Sequence, residues 1–397
     1  MSTTASAESR VSQRLIRPPE LRTGEDRSAS RLELFLDLAY VLVIAELAGA
    51  FADDLTWHGA AVFAAMFTVT WWSWVTITLY ANRFDTDDVL YRLAKLGGAF
   101  GVAVMAAAAT DPTGAQTTAF TVGYLITRVL LLLLYARAWR HVREARSTIV
   151  VYLVGTAAGA TLWAVSLFVP GPAKLVLWGV ALVLEACAPL VATRRGDNAP
   201  LHVEHLPERF ALFVILVLGE SVASVVAGLH DTHWNPGSVL VAGIGFTVAA
   251  ALWWNYFDLG AAAGKQQLVS HHRPQKSDDP DRFAYGHLPL TLGLAAVGVG
   301  IEQYIAHPVG ELSAGGRWAL CAGTALFFAG TAVIVSGDRG WRAVWPWPAA
   351  AIPVVLAVGV LDQLLPVVSV GAVGVLLVVM IMAGVREQRR GELPTQD

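Results

Sequence analysis

Length is the strongest constraint on this chain: apolar stretches long enough to cross a bilayer follow one another with only short polar segments between them. A hydrocarbon core of about 30 Å needs about 20 helical residues at a rise of about 1.5 Å each. Twelve such stretches fit the sequence, near residues 34–52, 59–81, 90–109, 117–136, 148–168, 173–193, 209–229, 237–260, 286–306, 317–336, 344–361 and 366–385. Inside hydrocarbon a backbone has no water to bond, so each stretch must satisfy its own N–H and C=O groups, which a helix does. The expected fold class is therefore all-α, a polytopic membrane helix bundle of about 12 transmembrane helices. With 55% apolar and 15% charged residues, the chain lacks the polar surface to coat a soluble globule.

Charge placement tests that division independently. Of 28 basic residues, 25 fall in the leader, in Arg83–Lys95, Arg137–Arg146, Arg194–Arg209, Lys265–Arg282 and Arg339–Arg342, and at the C-terminal end. Only Lys174 and Arg317 occupy the alternate loops, and Arg128 lies inside a span. Lys and Arg concentrate in cytoplasmic loops, so both termini are expected in the cytoplasm and the chain in the cell membrane. The basic patches then report topology, and the lipid bilayer rather than nucleic acid is the expected partner. Trp57 and Trp234 in the outer loops, and Trp341, Trp345 and Trp347 at the inner edge of the eleventh span, read as interfacial anchors.

Residues 1–30 show no apolar periodicity and are expected to form a disordered cytoplasmic tail, and 387–397 a cytoplasmic C-terminal tail. No apolar signal-peptide core precedes residue 34, so the first helix is expected to target the chain. Cys187 and Cys321 lie singly in apolar runs, which supports packing and neither a disulfide nor a Cys metal site. Arg31 and Phe35 opening the first span are echoed by Arg209 and Phe213 opening the seventh, and Trp71, Trp72 and Trp74 by Trp253 and Trp254. Those echoes suggest two parallel six-helix repeats, spanning residues 31–200 and 201–386.

Ionisable groups within the spans are the candidates for function, because each is expensive in hydrocarbon and usually faces protein or a water-filled path. Glu33 stands at the threshold of the first span, Asp37 one turn inside and Glu46 about halfway across, while Arg128, Glu185 and Glu220 also fall near the midplane. Glu302 lies further toward the outside and Asp258 near a cytoplasmic end. His287, with Tyr285 and Pro289, opens the ninth span where an imidazole could titrate. Two readings compete: a proton- or cation-coupled path along the carboxylates, or an Arg128–Glu pair with the other acids hydrogen-bonded as structural glue. Asp37 and Glu46 are nine residues apart, about 180° around a helix, and cannot share one straight seam. Glu220 in GESVAS is flanked by Ser221 and Ser224, and Gly155 and Gly159 in GTAAG suit close helix approach.

His271 and His272 with Asp278, Asp279 and Asp281 lack recognised metal spacing, so neither metal nor other cofactor is expected. A phosphate-binding GxxxxGK[ST] loop, HExxH and GxSxG are all missing, and the chain is expected not to be an enzyme.

Four ordered motifs carry a resemblance: ELFLDLAYVLVIAEL from Glu33, NRFDTDD from Asn82, ERFALFVILVLGES from Glu208 and FAYGHLPLTLGLAAVGVGIE from Phe283. Together the sequence resembles the bacterial low temperature requirement protein A (LtrA) family from about residue 30 to 385. The resemblance implies family-type positions at Glu33, Phe35, Asp37, Arg83, Asp85, Asp88, Glu208, Glu220, His287 and Glu302, with Leu36 and Tyr40 standing where relatives often carry Phe. It implies a membrane protein and no particular reaction. A fainter similarity is to the endolysosomal and bacterial potassium-channel family with RxxxFSD in its first helix: Arg31, Phe35 and Asp37 keep the spacing, with Leu36 in place of its Ser. The expected activity is secondary transport of a small solute or ion, with a cation channel and a non-transporting sensor or scaffold as alternatives. Substrate, coupling ion and oligomeric state stay open at this level.

Overall fold

The computed structural model describes residues 15–22, 30–195, 199, 201, 205–261, 279–309, 313–344 and 346–389. Each of the twelve expected spans is a helix: α1 Arg31–Asp53, α2 Trp57–Arg83, α3 Val89–Ala107, α4 Thr117–His141, α5 Arg146–Ser166 and α6 Ala173–Arg194, then α7 His205–Asp231, α8 Pro236–Trp254, α9 Asp279–Ala306, α10 Ala314–Val344, α11 Pro346–Val360 and α12 Pro366–Arg389. Among the described residues, eleven of the helical segments are long and apolar enough to cross a membrane, and the chain is a multi-pass membrane protein. The exception is α11, with 15 residues. Several helices outrun their apolar windows; α9 starts seven residues before the expected 286. Hydropathy marks the hydrocarbon layer, whereas backbone hydrogen bonding carries a helix on into the polar layers.

The chain divides into two compact units. One comprises Met1–Tyr40, Trp72–Met105 and Thr118–His202, and the other Val41–Trp71, Ala106–Thr117 and Val203–Asp397, so that α1 and α2 each contribute a segment to both.

In the first unit the leader departs from the free tail expected of residues 1–30: Leu15–Arg22 is a strap pinned across helix ends. Glu20–Leu21 (β1) pairs antiparallel with Phe84–Asp85 (β2), Glu20 opposite Asp85. The Arg22 amide donates to the Arg83 carbonyl at 3.0 Å and its guanidinium to the Ala81 carbonyl at 2.9 Å, so one arginine satisfies carbonyls that the end of α2 leaves without helical partners. Asp88 holds the other end. Its carboxylate accepts from the Arg17 amide at 3.0 Å, from the Arg137 guanidinium, and from the Tyr91 amide at 2.9 Å as the N-cap of α3. Burial pushes this carboxyl up, but the bonds from Arg137, Tyr91 and Arg17 outweigh it and hold Asp88 below its ordinary range. The composition of the leader is that of a disordered segment; the strap arises because α2 and α3 present unsatisfied backbone groups to it. Tyr80, Phe84, Tyr135 and Tyr152 form an aromatic cluster beneath, with the Arg83 guanidinium 4.8 Å from the Tyr152 ring centre.

The second unit is organised on α9 and α10. Gly286, Gly293 and Gly300 recur every seven residues on α9, and Gly330 and Gly323 carry the same spacing on α10. A Cβ on Gly330 would lie 2.6 Å from the Gly286 carbonyl oxygen, and one on Gly323 2.7 Å from that of Gly293. Only glycine lets the backbones meet this closely, and in lipid such close packing is a principal source of helix association. Cys321 is buried on α10, and among the described residues both cysteines are free thiols, Cys187 being exposed. Trp57 and Trp234 are exposed, in keeping with interfacial anchoring. The side chains of Trp341, Trp345 and Trp347 lie outside the described set, as do His271, His272 and Asp278.

Candidate functional site

A buried polar cluster of the first unit is built on Arg128 of α4, 1% exposed. Its Nη1 donates to Glu185 Oε2 on α6 at 2.9 Å, and its Nη2 to Ser73 Oγ at 2.9 Å and to the Ser73 carbonyl on α2 at 3.2 Å. The Tyr124 hydroxyl donates to the same Glu185 oxygen at 3.0 Å, while the Tyr124 ring centre lies 4.7 Å from the guanidinium carbon. Proton directions follow by elimination. Thr127 donates to the Tyr124 carbonyl at 2.7 Å, so Ser73 must donate to Thr127 at 3.2 Å and Tyr40 to Ser73 at 2.9 Å. One ordered chain of hydroxyls thus runs from Tyr40 of α1 to α4, and the charges at its end are neutralised by each other.

Local sequence explains why Glu185 reaches Arg128. Gly159 of α5 faces the Glu185 side chain, which would collide with any Cβ there, and one on Gly155 would lie 2.9 Å from that of Ala188. The GTAAG segment therefore performs the close approach expected of it. Trp163 and Trp178 stack at 4.5 Å beside Tyr124, whose ring lies 4.4 Å from Trp163. Nearby, Tyr40, Ser73, Thr127, Arg128 and the buried Lys95 line a cavity of about 20 Å³, space for roughly one water. Asp37, fully buried, accepts from the Trp74 indole at 2.9 Å.

Glu33 has a local task. Ser30 and Glu33 form a reciprocal capping box at the start of α1, the Glu33 carboxylate accepting from the Ser30 amide at 2.9 Å and the Glu33 amide donating to Ser30 Oγ at 3.3 Å.

The second unit holds carboxylates of a different kind. Glu220 of α7 and Glu302 of α9 are half-buried and Glu46 of α1 is exposed. Glu220 lies within electrostatic reach of both Glu302 and Glu46, and Glu302 within reach of Asp231 and Asp53, at the adjoining ends of α7 and α1. Glu302 is about 6 Å of helix from the end of α9, Glu46 about 10 Å from that of α1 and Glu220 about 16 Å from that of α7, so below Asp53 and Asp231 the acids deepen in the order Glu302, Glu46, Glu220 from the end opposite the basic loops. No metal-holding group of three His, Cys, Asp or Glu occurs among the described residues; the acids are strung out rather than clustered. Ser224 lies beside Glu302, whereas Ser221 donates to the Leu294 carbonyl at 3.1 Å and fastens α7 to α9.

His287 is enclosed by Phe210, Phe283 and Tyr256. Its Nδ1 is 2.6 Å from the Phe283 carbonyl and its Nε2 2.9 Å from the Tyr256 hydroxyl, so a neutral ring protonated at Nδ1 satisfies both contacts. That geometry ties α9 to the π-helical turn Asn255–Ala261 that ends α8, in which Asp258 is half-buried.

The structure thus pairs Arg128 with Glu185 and sets Glu220 within electrostatic reach of Glu46 and Glu302, and it assigns Asp37 and Glu46 to different units. Sequence reading missed Ser73, Tyr124 and Trp74, whose polar atoms are hidden in aromatic and apolar runs, and Asp53 and Asp231, which look like ordinary loop acids.

Residues 28–383 match the family described as Bacterial low temperature requirement A protein (LtrA). The chain is also 28% identical over 317 residues, 77% of each protein, to the uncharacterized protein RA0937 of Rhizobium meliloti (strain 1021).

Proposed function

We propose that this chain, which belongs to the bacterial low temperature requirement A protein (LtrA) family, is a proton- or cation-coupled secondary transporter of a small solute. The observation that carries the reading is the carboxylate ladder Asp53/Asp231–Glu302–Glu46–Glu220. Among the described residues Glu46, Glu220 and Glu302 pair with no basic side chain, so their charge is available to a proton or cation. Arg128–Glu185 serves as the contrasting static element, with its charges already matched. The ladder begins at the end remote from the basic loops, which on the positive-inside rule is the outer face of the cell membrane, with both termini cytoplasmic. No bond-making chemistry is part of this reading; the acids bind and release an ion.

Reconstituted protein under imposed proton and potassium gradients tests it. Saturable, pH-dependent flux is expected, with Glu220→Gln and Glu302→Gln folding normally and losing the pH dependence. Current without saturation would instead mark a channel, and silence under every gradient a sensor or scaffold. Unchanged pH dependence in both Gln variants would remove the ladder from the path.

A further inference from the structure

Beside the strap, at the basic end of the first unit, lies a cavity of about 840 Å³ that the transport reading does not use. Its rim is Arg22, Arg31 and Arg92 with Ser30 and Thr86, against Glu33 and Asp87. Both acids are already engaged, Glu33 in the capping box and Asp87 with Arg92 at 2.9 and 3.0 Å. Among the described residues three guanidiniums face two carboxylates, a net positive rim in which Arg92 is tied to Asp87, Arg22 donates to the Ala81 carbonyl and Arg31 is exposed. The floor is apolar: Phe35 is 53% and Leu96 45% exposed, and both continue onto the outward faces of α1 and α3 with Leu38, Leu93 and Phe100.

We propose that this cavity binds an anionic phospholipid, its phosphate on the arginine rim and an acyl chain along Phe35 and Leu96. A free phosphate would account for the rim but leave the apolar floor unused, while a neutral lipid would match the floor but not the charge. Guanidinium forks suit phosphate oxygens, and basic pockets at the inner membrane surface select acidic headgroups in this way.

Native mass spectrometry of the full chain in detergent, titrated with phosphatidylglycerol, phosphatidylcholine or glycerol 3-phosphate, provides the test. Retention of phosphatidylglycerol above phosphatidylcholine is expected, and Arg31→Gln should weaken it roughly fivefold, the effect of one arginine near an anionic surface. Asp87→Asn, which frees Arg92, should strengthen it, and this opposite sign is one that a general loss of folding could not produce. Arg140→Gln, at an exposed position outside the cavity, should leave retention unchanged. Equal losses for Arg31→Gln and Arg140→Gln would reduce the effect to diffuse surface charge and overturn the proposal. Glycerol 3-phosphate binding as tightly as the lipid would overturn it in favour of a soluble phosphate site.

Discussion

Arg128 shows what a cation requires in order to sit within a membrane helix: a carboxylate on another helix, a hydroxyl, a carbonyl and an aromatic face, all within bonding range. Removing one partner strands the other, and breaking a buried pair costs about 3–5 kcal/mol. Arg128→Ala and Glu185→Ala should each lower the free energy of unfolding in detergent by that order, whereas Arg128→Met with Glu185→Leu should lose much less; equal losses would show that packing, not charge, dominates. Asp88 gives a second prediction. Its carboxyl is held below the ordinary range, so the stability it lends the strap is full above the unfolded value of about 4 and is lost as pH falls through the lowered native value. The protection of the Arg17 and Val89 amides, relative to free-peptide exchange at the same pH, should fall on acidification through that window, and in Asp88→Asn should be low already at neutral pH; protection that ignored pH would put the strap's stability elsewhere. A pairing of Arg128 with one of the central carboxylates was legible as an alternative, but not that Glu185 is the one, since a contact across 57 positions leaves no local spacing to read.

At the scale of elements, hydropathy located the twelve α-helices of the described residues, because crossing hydrocarbon needs a run of apolar residues that little else in a sequence mimics. It did not locate the strap, whose order comes from helix ends supplied by other parts of the chain, nor the π turn after α8. The glycine seam of α9 and α10 was written in the sequence as a seven-residue period, but it becomes visible only when both helices are aligned antiparallel. Replacing Gly330 or Gly323 with Ala should force the backbones apart and destabilise by about 1–3 kcal/mol, as overpacking does. Gly98→Ala, where nothing lies within 4 Å of the added Cβ, should be neutral or mildly stabilising. Thermal unfolding of the three variants in one detergent separates these outcomes, and equal behaviour would mean that the seam is not tight.

For the whole molecule, the alternation of basic loops predicts that single cysteines at residues 136–147 and 387–397 react only with reagent admitted to the cytoplasmic side; outward labelling at either would invert the proposed orientation. The Arg-Phe and Trp echoes predict that α1–α6 superpose on α7–α12 without inversion, and a best fit requiring inversion would reduce them to chance. The shortness of α11 bears on the membrane itself. Fifteen residues span about 22 Å against a hydrocarbon thickness of about 30 Å, so lipid beside this helix must compress or tilt to keep its chains covered. Each ångström of mismatch carries a small elastic penalty that grows with acyl length. Reconstituted in bilayers of increasing chain length, the protein should therefore lose stability steadily as the membrane thickens, and Val360 and Pro346 should mark a local dimple in an otherwise flat sheet of lipid.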